Sequence, residues 1–248
     1  MPLSAVIITH NARAGLEACL ASIAFADEIL VIDSGSTDDT LEIARSRGAR
    51  VIEKAWTGFG AQKQFAVDSA CNDWVLCVDA DERLSETLQR NIRAELAAPR
   101  SQAYALSRCN RFLGRWLRHG EGYPDWVVRL FDRRSARWSD DPVHERVITD
   151  VPAARLQGDL LHESAGTLEH YFEKQNRYTT LQAQSMRSQG KRAGVLDLAL
   201  SPLARFFKFY FLRLGFLDGL PGLVHVSIGC MNSFTKYAKL IELQKSPQ

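Results

Sequence analysis

The stretch from Trp74 to Glu82 most constrains how this chain folds, because an apolar run leads directly into three acidic residues. Trp74-Val-Leu-Cys-Val78 has the length and composition of a strand buried in a parallel sheet. Open α/β sheets bind ligands at the carboxyl ends of their strands, which is where Asp79, Asp81 and Glu82 stand. An extended backbone points Asp79 and Asp81 to one side and Ala80 to the other. Carboxylates grouped in this way suit a hard divalent cation. The alternative interpretation is that these are ordinary loop residues near the start of the next helix.

Strands and helices alternate four times along the first part of the chain. The strands are predicted at Leu3–Thr9, Glu28–Asp33, Arg50–Glu53 and the Trp74 stretch. This alternation predicts an α/β fold with a parallel sheet. The loops Thr9-His-Asn11 and Asp33-Ser34 should then lie at the same edge as Asp79, and Asn11 is expected to cap the helix that follows it.

Phosphate-binding glycine motifs are missing from these loops, since the chain has neither Gly-x-Gly-x-x-Gly nor a Gly-Lys-Ser/Thr loop. A phosphate group at this edge would have to be neutralised in another way. A metal ion on the acidic residues is the obvious route.

Overall charge and cysteine content exclude some classes of protein. The net charge of +2 over 248 residues gives no field of the kind that binds nucleic acid. The five cysteines are odd in number and form no Cys-x-x-Cys pair, so we expect reduced thiols in a cytosolic setting. No signal peptide and no run of 18 apolar residues is present, so no transmembrane helix is expected.

The second half of the chain has shorter predicted strands and then a helical region. The loop Gly114–Asp125 is rich in Gly, Trp, Arg and His, as substrate-facing loops often are. The pattern becomes helical after Gly166. Strands are expected at Tyr104–Ser107, Trp126–Phe131, Val143–Ile148 and Leu156–His162.

The segment Arg187–Arg213 combines basic and aromatic residues. It carries six Lys or Arg residues against the single acid Asp197, and five of the twelve Phe residues lie between Phe206 and Phe216. Such interleaving in helices indicates a surface that binds the membrane interface. A core helix with a solvated basic face is the alternative. Nucleic-acid binding is less favoured, because no stacking platform or recognition motif accompanies the charge.

Three motifs in order carry a family resemblance: Val6-Ile-Ile-Thr-His-Asn11, Val31-Ile-Asp-Ser-Gly-Ser-Thr-Asp38 and Val78-Asp-Ala-Asp81. Together they resemble the inverting glycosyltransferases of family 2, which have the GT-A fold. Further segments resemble the lipopolysaccharide core β-1,4-glucosyltransferase branch: Gly58–Lys63, Tyr123–Trp126, Arg129–Phe131, Val143–Glu145 and Gly215–Gly219.

The resemblance implies an α/β architecture of the GT-A type, with a Rossmann-like nucleotide-binding half and a mixed sheet. The catalytic domain would span residues 1–165, with the nucleotide-sugar half at about 1–100 and the acceptor half at about 101–165. Residues 166–248 would form a C-terminal helical extension that associates with a membrane.

The donor implied by the resemblance is a UDP-sugar, with UDP-glucose expected. Thr9, Asn11, Asp33 and Ser34 match positions that line the nucleoside pocket, although many relatives carry a second acid where this chain has Ser34. Lys63 is the candidate diphosphate contact, or else a solvated helix lysine. Asp79, Ala80 and Asp81 would complete the nucleotide-sugar site. Asp79, Asp81 and His162 would hold Mn²⁺ or Mg²⁺, and a structural role for His162 is the alternative.

The acceptor implied by the resemblance is a heptose of the lipid-linked inner core. Glu145 is the candidate general base and Asp125 the second candidate, while an ion-paired or surface Glu145 is the alternative. Aromatic faces suit sugar rings, so an acceptor platform is expected, with core packing as the alternative. Its candidate residues are Trp116, His119, Tyr123 and Trp126.

Gln175-Asn-Arg-Tyr178 is similar to the Gln-x-x-Arg-Trp motif of processive family members but lacks its Trp. A single sugar addition is therefore expected. The enzyme would lie on the cytoplasmic face of the inner membrane, where a lipid-linked oligosaccharide acceptor is found, and would bind no nucleic acid. Two alternatives stay open: a transferase for a polyprenyl-phosphate or other surface-polysaccharide acceptor, and a non-catalytic nucleotide-sugar or membrane-binding module.

Overall fold

A computed structural model of the chain describes residues 1–141, 145–163 and 166–245. The strands are β1 Leu3–Thr9, β2 Glu28–Asp33, β3 Arg50–Glu53, β4 Trp74–Asp79, β5 Glu82–Leu84, β6 Ala103–Phe112, β7 Arg115–Trp116, β8 Asp125–Asp132, β9 Ala136–Trp138, β10 Val147–Thr149 and β11 Ala154–His162. The helices are α1 Arg13–Ser22, α2 Thr40–Ser46, α3 Phe59–Asp68, α4 Glu86–Ala97, α5 Leu168–Ser188, α6 Val195–Phe206 and α7 Gly219–Lys245, with a π-helical segment Phe207–Leu212 and a 3₁₀ turn Gly215–Asp218 before α7.

The chain divides into two compact units. We call Met1–Cys109 with Pro124–Glu163 the sheet unit, and Asn110–Tyr123 with Ser164–Gln248 the helical unit. The division lies near the boundary expected at residue 165, but it also places Asn110–Tyr123 with the helices. The carboxylate of Asp218 explains this placement, because it accepts hydrogen bonds from the backbone N–H groups of Arg118 and His119.

The sheet unit is built on a mixed sheet whose strand order is β3-β2-β1-β4-β8-β6-β11-β5. The first four strands are parallel, and β8 runs antiparallel to β4. The α/β fold with a mixed sheet is thereby confirmed. In this register Thr9 lies beside Asp33 and Ile8 beside Asp79, so the carboxyl ends of three parallel strands meet at one edge.

Apolar residues cover both faces of this sheet, which explains the uninterrupted apolar run in β4. Leu76 packs in one core cluster with residues of α1 and α4, including Leu16 and Ile92. Val75 packs in the other cluster, on the side of α3 and β9, with Trp138. Alternating side chains therefore enter two different cores.

Two local predictions on the loops turn out differently. Asn11 does not cap α1, because Ala12 occupies the N-cap position and no side chain caps this helix. Asn11 instead adopts a left-handed backbone with φ of 48°, and its side-chain oxygen accepts a hydrogen bond from the Thr37 N–H. The strand expected at Val143–Ile148 is observed as Val147–Thr149, and Pro142, Val143 and His144 lie outside the described residues.

In the helical unit α7 packs against both α5 and α6. Side chains of α6 are unusually exposed, since none of its residues is buried. No single helix in the described ranges is both long and apolar enough to cross a membrane. Val195–Leu212 and Gly215–Lys245, bent by 72° relative to each other, pass this test as a pair by length and composition alone.

Candidate active site

Hydrogen bonds join the loops after β1 and β2 at the carboxyl edge of the sheet. The Thr9 hydroxyl donates to Asp33 Oδ1 at 2.9 Å, and the backbone N–H groups of Gly35 and Ser36 donate to Asp33 Oδ2 at 2.9 and 2.8 Å. The Asn11 N–H donates to Ser36 Oγ at 2.9 Å, which ties the β1 loop to the β2 loop. Predicted nucleoside-binding residues thus form one connected network.

Asp33 is fully buried and stays ionised within that network. Burial alone would raise its pKa, but hydrogen bonds from Ser36, Thr9 and the Gly35 N–H outweigh this and hold the pKa of Asp33 below its ordinary value. Both carboxylate oxygens accept from the protein, so Asp33 shapes the turn that follows β2. Ser34 lies beside it, and its hydroxyl accepts a hydrogen bond from the Gln62 side chain at 3.1 Å.

A buried charge network surrounds the end of β4. Lys63 Nζ of α3 lies 3.1 Å from Asp79 Oδ1 and 3.5 Å from Glu145 Oε1. Arg129 Nη2 of β8 donates to Asp79 Oδ2 at 2.6 Å and to Glu82 Oε1 at 3.1 Å. Lys63 is only 7% exposed, so it is a buried member of the site and not a solvated helix lysine.

The three charges on Asp79, Glu82 and Arg129 shift one another. Burial disfavours ionised Asp79, but the cations Arg129 and Lys63 prevail and hold its pKa well below the usual range. Burial raises the pKa of Glu82, and the Asp79 charge adds to this effect. Burial would lower the pKa of Arg129, yet Asp79 and Glu82 raise it. Asp79 therefore remains a carboxylate held between two cations.

The second acid of the motif, Asp81, meets His162 from a distant part of the sequence. Strand β11 pairs with β5 so that His162 stands opposite Glu82. His162 Nε2 then lies 3.2 Å from Asp81 Oδ2. Gly15 of α1 makes room for this loop, since a Cβ there would lie 2.9 Å from the Ala80 carbonyl oxygen. Ala80 itself therefore contributes backbone packing between the two acids.

The donor chemistry of this pair fits a divalent cation. A carboxylate oxygen and an imidazole nitrogen are ligands that Mn²⁺ accepts, whereas Mg²⁺ prefers oxygen. Asp79 differs from Asp81, because both of its oxygens already face Lys63 and Arg129. Within the described ranges, no group of three or more His, Cys, Asp and Glu side chains is arranged to hold a metal ion.

The two candidate bases have different surroundings. Glu145 is partly buried beside Lys63, and a Cβ on Gly60 of α3 would lie 3.7 Å from the Glu145 Cβ. Asp125 is held by Arg108, whose Nε and Nη2 donate to Asp125 Oδ2 at 2.9 and 2.7 Å. Glu145 is thus part of the same charge network as Asp79, while Asp125 belongs to a cross-strand ion pair between β6 and β8.

The predicted acceptor residues fall in both units. Trp126 lies on β8 of the sheet unit with the Arg155 guanidinium 4.8 Å from its ring centroid. In the helical unit Trp116 lies on β7, with Arg111 5.9 Å from its ring centroid, and the Tyr123 carbonyl accepts from Arg213. His119 Nδ1 lies 3.0 Å from Asp218 Oδ1, which gives it a structural partner. The acceptor platform remains a prediction.

Sequence reasoning assigned no role to Arg129, although it is central to the site. The indication was present in β8, where one arginine stands within the apolar run Trp126-Val-Val-Arg-Leu-Phe131. A buried arginine needs a carboxylate partner. Its Nε and Nη1 have no hydrogen-bond partner in the described part of the chain, so the guanidinium retains donor capacity.

Comparison with known proteins assigns the chain to a family. The family model for glycosyl transferase family 2 matches residues 4–149. An uncharacterized glycosyltransferase of Rickettsia typhi is 34% identical over 254 residues, which cover 97% of this chain and 87% of the relative. The lipopolysaccharide core biosynthesis glycosyltransferase LpsC of Rhizobium meliloti is 32% identical over 256 residues, covering 98% of this chain and 93% of LpsC.

Solved structures also resemble this chain. S. aureus TarS residues 1–349 give a TM-score of 0.48 at 15% identity, covering 100% of this chain and 92% of that one. Glucosyl-3-phosphoglycerate synthase of Mycobacterium tuberculosis, crystallised with Mn²⁺, UDP and glucosyl-3-phosphoglycerate, gives 0.38 at 26% identity over 44% of each chain. The sequence matches, which span nearly the whole chain, show that this protein is a glycosyltransferase of family 2.

Proposed function

We propose that this glycosyltransferase is a metal-dependent inverting enzyme that transfers a single glucose from UDP-glucose to a heptose of the lipopolysaccharide inner core. The observation that carries the proposal is the pairing of Asp81 with His162 beside the cation-held Asp79, at the edge where β1, β2 and β4 end. This arrangement combines ligands for a divalent cation with fixed positive charge for a diphosphate.

The donor is held by groups that the fold positions before it binds. Asp81 and His162 would hold Mn²⁺ or Mg²⁺, and the bound ion would supply Lewis acidity toward the diphosphate. Lys63 and Arg129 orient Asp79 and add positive charge at the end of β4. The hydrogen-bonded loops that carry Thr9, Asn11 and Asp33 would line the nucleoside pocket.

Inverting transfer needs a base on the acceptor side. Glu145 would take the proton of the attacking heptose hydroxyl at a carboxylate oxygen, with Lys63 3.5 Å away to balance its charge. Asp125 is a weaker choice, because Arg108 already binds one of its oxygens through two donors. LpsC, named for lipopolysaccharide core biosynthesis, supports the acceptor proposal through similarity over nearly its full length.

The test is a panel of sugar nucleotides with truncated lipopolysaccharide acceptors, assayed with and without EDTA. Transfer from UDP-glucose that requires a heptose-terminated acceptor and stops in EDTA supports the proposal. Asp81→Asn should abolish metal-stimulated turnover, whereas Asp150→Asn, at an exposed loop acid, should not. Full turnover in EDTA would show that transfer does not depend on a metal ion. Transfer only to polyprenyl phosphate would show that the acceptor is a polyprenyl phosphate and not a heptose.

We further propose that the enzyme works on the cytoplasmic face of the inner membrane, bound through the helical unit. Large apolar side chains are strongly exposed along α6 and just beyond it, for example Val195 at 78% and Leu196 at 73%. Basic residues accompany them: Lys191, Arg192, Lys208 and Arg213. An apolar surface with basic neighbours matches an anionic bilayer, where the lipid-linked acceptor would lie.

Cosedimentation with vesicles tests this surface. Wild-type protein should pellet with anionic vesicles and less so at high salt. A double variant, Leu196→Gln with Leu203→Gln, should weaken binding by about tenfold or more, because two exposed side chains lose their apolar burial in lipid. Ile148→Gln is a control at an exposed apolar residue of the sheet unit. An unchanged pellet fraction in the double variant would refute the membrane proposal.

A further inference from the structure

The helical unit contains a cavity of about 250 Å³ between α5, α6, α7 and the loop at Glu121. More than half of its lining residues carry hydroxyl or amide side chains: Tyr171, Gln175, Tyr178, Thr179, Gln182, Asn232 and Ser233. Apolar lining is typical of sites for apolar ligands, so a polar lining of this kind favours a ligand with many hydrogen-bonding groups.

Arg205 and Glu121 form an ion pair in this cavity that several hydrogen bonds hold in place. Arg205 donates to Glu121 through Nε at 3.0 Å and pairs with it again through Nη2, while Nη1 donates to the buried Ser233 hydroxyl at 3.1 Å. Gly229 allows the pair to lie against α7, since a Cβ there would collide with the Glu121 carboxylate and lie 3.0 Å from Arg205 Nε. Arg205 and Glu121 are thus each other's ion-pair partners.

Lys236 is the charge that remains. It lines the same cavity, and the groups that shift its pKa include no carboxylate among the described residues. Burial lowers the pKa of Lys236, and the charges of Arg205 and Lys191 lower it further. His225 also lines the cavity, and burial together with the charge of Arg205 lowers its pKa, which disfavours a second positive charge there. Among the described residues this cation therefore has an aromatic neighbour, the Tyr237 ring 4.7 Å from Lys236 Nζ, but no anionic partner.

We propose that this cavity binds a monosaccharide unit carrying a phosphate or carboxylate group, with the anion at Lys236 and the sugar hydroxyls at the surrounding amides and hydroxyls. Lysine is a good partner for such an anion, and the bound group would supply a counter-ion for Lys236. The Tyr171 and Tyr178 rings offer faces for the sugar ring. The inference rests on the proposed function for its source: an acidic or phosphorylated sugar of the acceptor glycan.

Calorimetric titration of the full chain with glucose 6-phosphate and with glucuronate is the test, with glucose and inorganic phosphate as separate probes. The anionic sugars should bind, while neutral glucose and inorganic phosphate should bind at least about tenfold more weakly. Equal binding of inorganic phosphate would overturn the saccharide proposal, and so would the absence of binding by either anionic sugar at millimolar concentration.

Three variants at lysines of α7 locate the effect. Lys236→Met should weaken binding of the anionic sugars by about tenfold or more, and Lys236→Arg should retain it. Lys245→Met, at an exposed lysine in the last turn of the same helix, should also retain it. If Lys236→Met binds as well as wild type while its thermal unfolding is unchanged, the site is elsewhere and the proposal is wrong.

A second pair of ligands separates the two sources of the anion. If the anionic sugar belongs to the acceptor glycan, a phosphorylated core oligosaccharide freed of its lipid should bind more tightly than glucose 6-phosphate. Tighter binding of glucose 6-phosphate would show instead that the ligand of the cavity is a soluble sugar phosphate. A parallel titration with UDP reports on the donor site alone. Failure of the donor proposal therefore shows in UDP binding, and failure of this inference in the sugar-phosphate titration.

Discussion

Two lysines, one buried and one half-buried, have different charged surroundings in the two units. Lys63 of the sheet unit faces two carboxylates, Asp79 and Glu145. For Lys236 of the helical unit no ion pair is found among the described residues, and burial and the cations Arg205 and Lys191 lower its pKa. Lys63 and its carboxylates form a preorganised charge network. Lys236 lines a cavity that a counter-ion from outside the chain could enter.

The same contrast holds for apolar surface. In the sheet unit the apolar residues of β4 are covered on both faces, and Leu76 and Val75 are fully buried. In the helical unit Leu203 of α6 is 67% exposed. The sheet unit thus covers its apolar strand, while the helical unit leaves large apolar side chains exposed, for which we propose a lipid partner.

The largest expected effect separates the two candidate bases of the sheet unit. Glu145→Gln should lower the rate of transfer by about 10²–10⁴-fold, because it removes the group that accepts the proton. Asp125→Asn should have a smaller effect, since the Asp125 carboxylate is bound to Arg108. Steady-state transfer kinetics measure both. If Asp125→Asn shows the larger loss, the roles of the two acids are reversed.

The next effect tests whether buried pairing stabilises the sheet unit. Arg129→Met should lower the free energy of unfolding by about 3–5 kcal/mol, because it leaves Asp79 and Glu82 buried without their partner. Arg134→Met is the matched control: its guanidinium binds Asp132 but is 67% exposed, so the loss should be at most about 1 kcal/mol. Urea titration measures both, and equal losses would contradict the comparison.

A leucine pair tests the exposed surface of the helical unit. Leu240→Ala should lower the free energy of unfolding by about 2–5 kcal/mol, because Leu240 of α7 is fully buried. Leu203→Ala should change it by no more than about 0.5 kcal/mol in solution. Thermal and urea unfolding without vesicles measure the two. A large loss for Leu203→Ala would mean that this surface is covered and not free for a membrane.

The smallest effect is a pH dependence in the sheet unit. Burial would raise the pKa of Glu28, but hydrogen bonds from Ser4, the Cys71 N–H and Arg50 lower it from 4.5 to about 2. A lowered carboxyl pKa stabilises the folded state above pH 4.5, and this contribution is lost as the pH falls through 2.

Glu28→Gln should therefore be less stable than wild type near neutral pH, by on the order of 1–2 kcal/mol, and the difference should shrink as the pH falls below 4.5. Urea titrations between neutral and acidic pH measure this difference. A gap between the two proteins that is independent of pH would show that the charge of Glu28 plays no part in the stabilisation.

Several features of the site could be predicted from the sequence because they depend on neighbours along the chain. The run ending in Asp79 predicted a buried strand with acids at its carboxyl end, and β4 and Asp79 stand there. Ser85 caps α4 through its hydroxyl, as its position before the helix allows. The prediction that Asn11 caps α1 is wrong, because the side-chain oxygen of Asn11 accepts a hydrogen bond from the Thr37 N–H of another loop.

Strand periodicity, apolar runs and acid spacing by themselves determined the α/β class and the edge at which the site lies, since these follow from backbone geometry over a few residues. Only the tertiary structure decided the partners. Sheet register brought His162 to Asp81 across 81 positions, and Arg129 to Asp79 across 50. Helix packing brought Glu121, Arg205 and Lys236 into one cavity. Charges find partners through space, and local sequence does not encode which distant side chain arrives there.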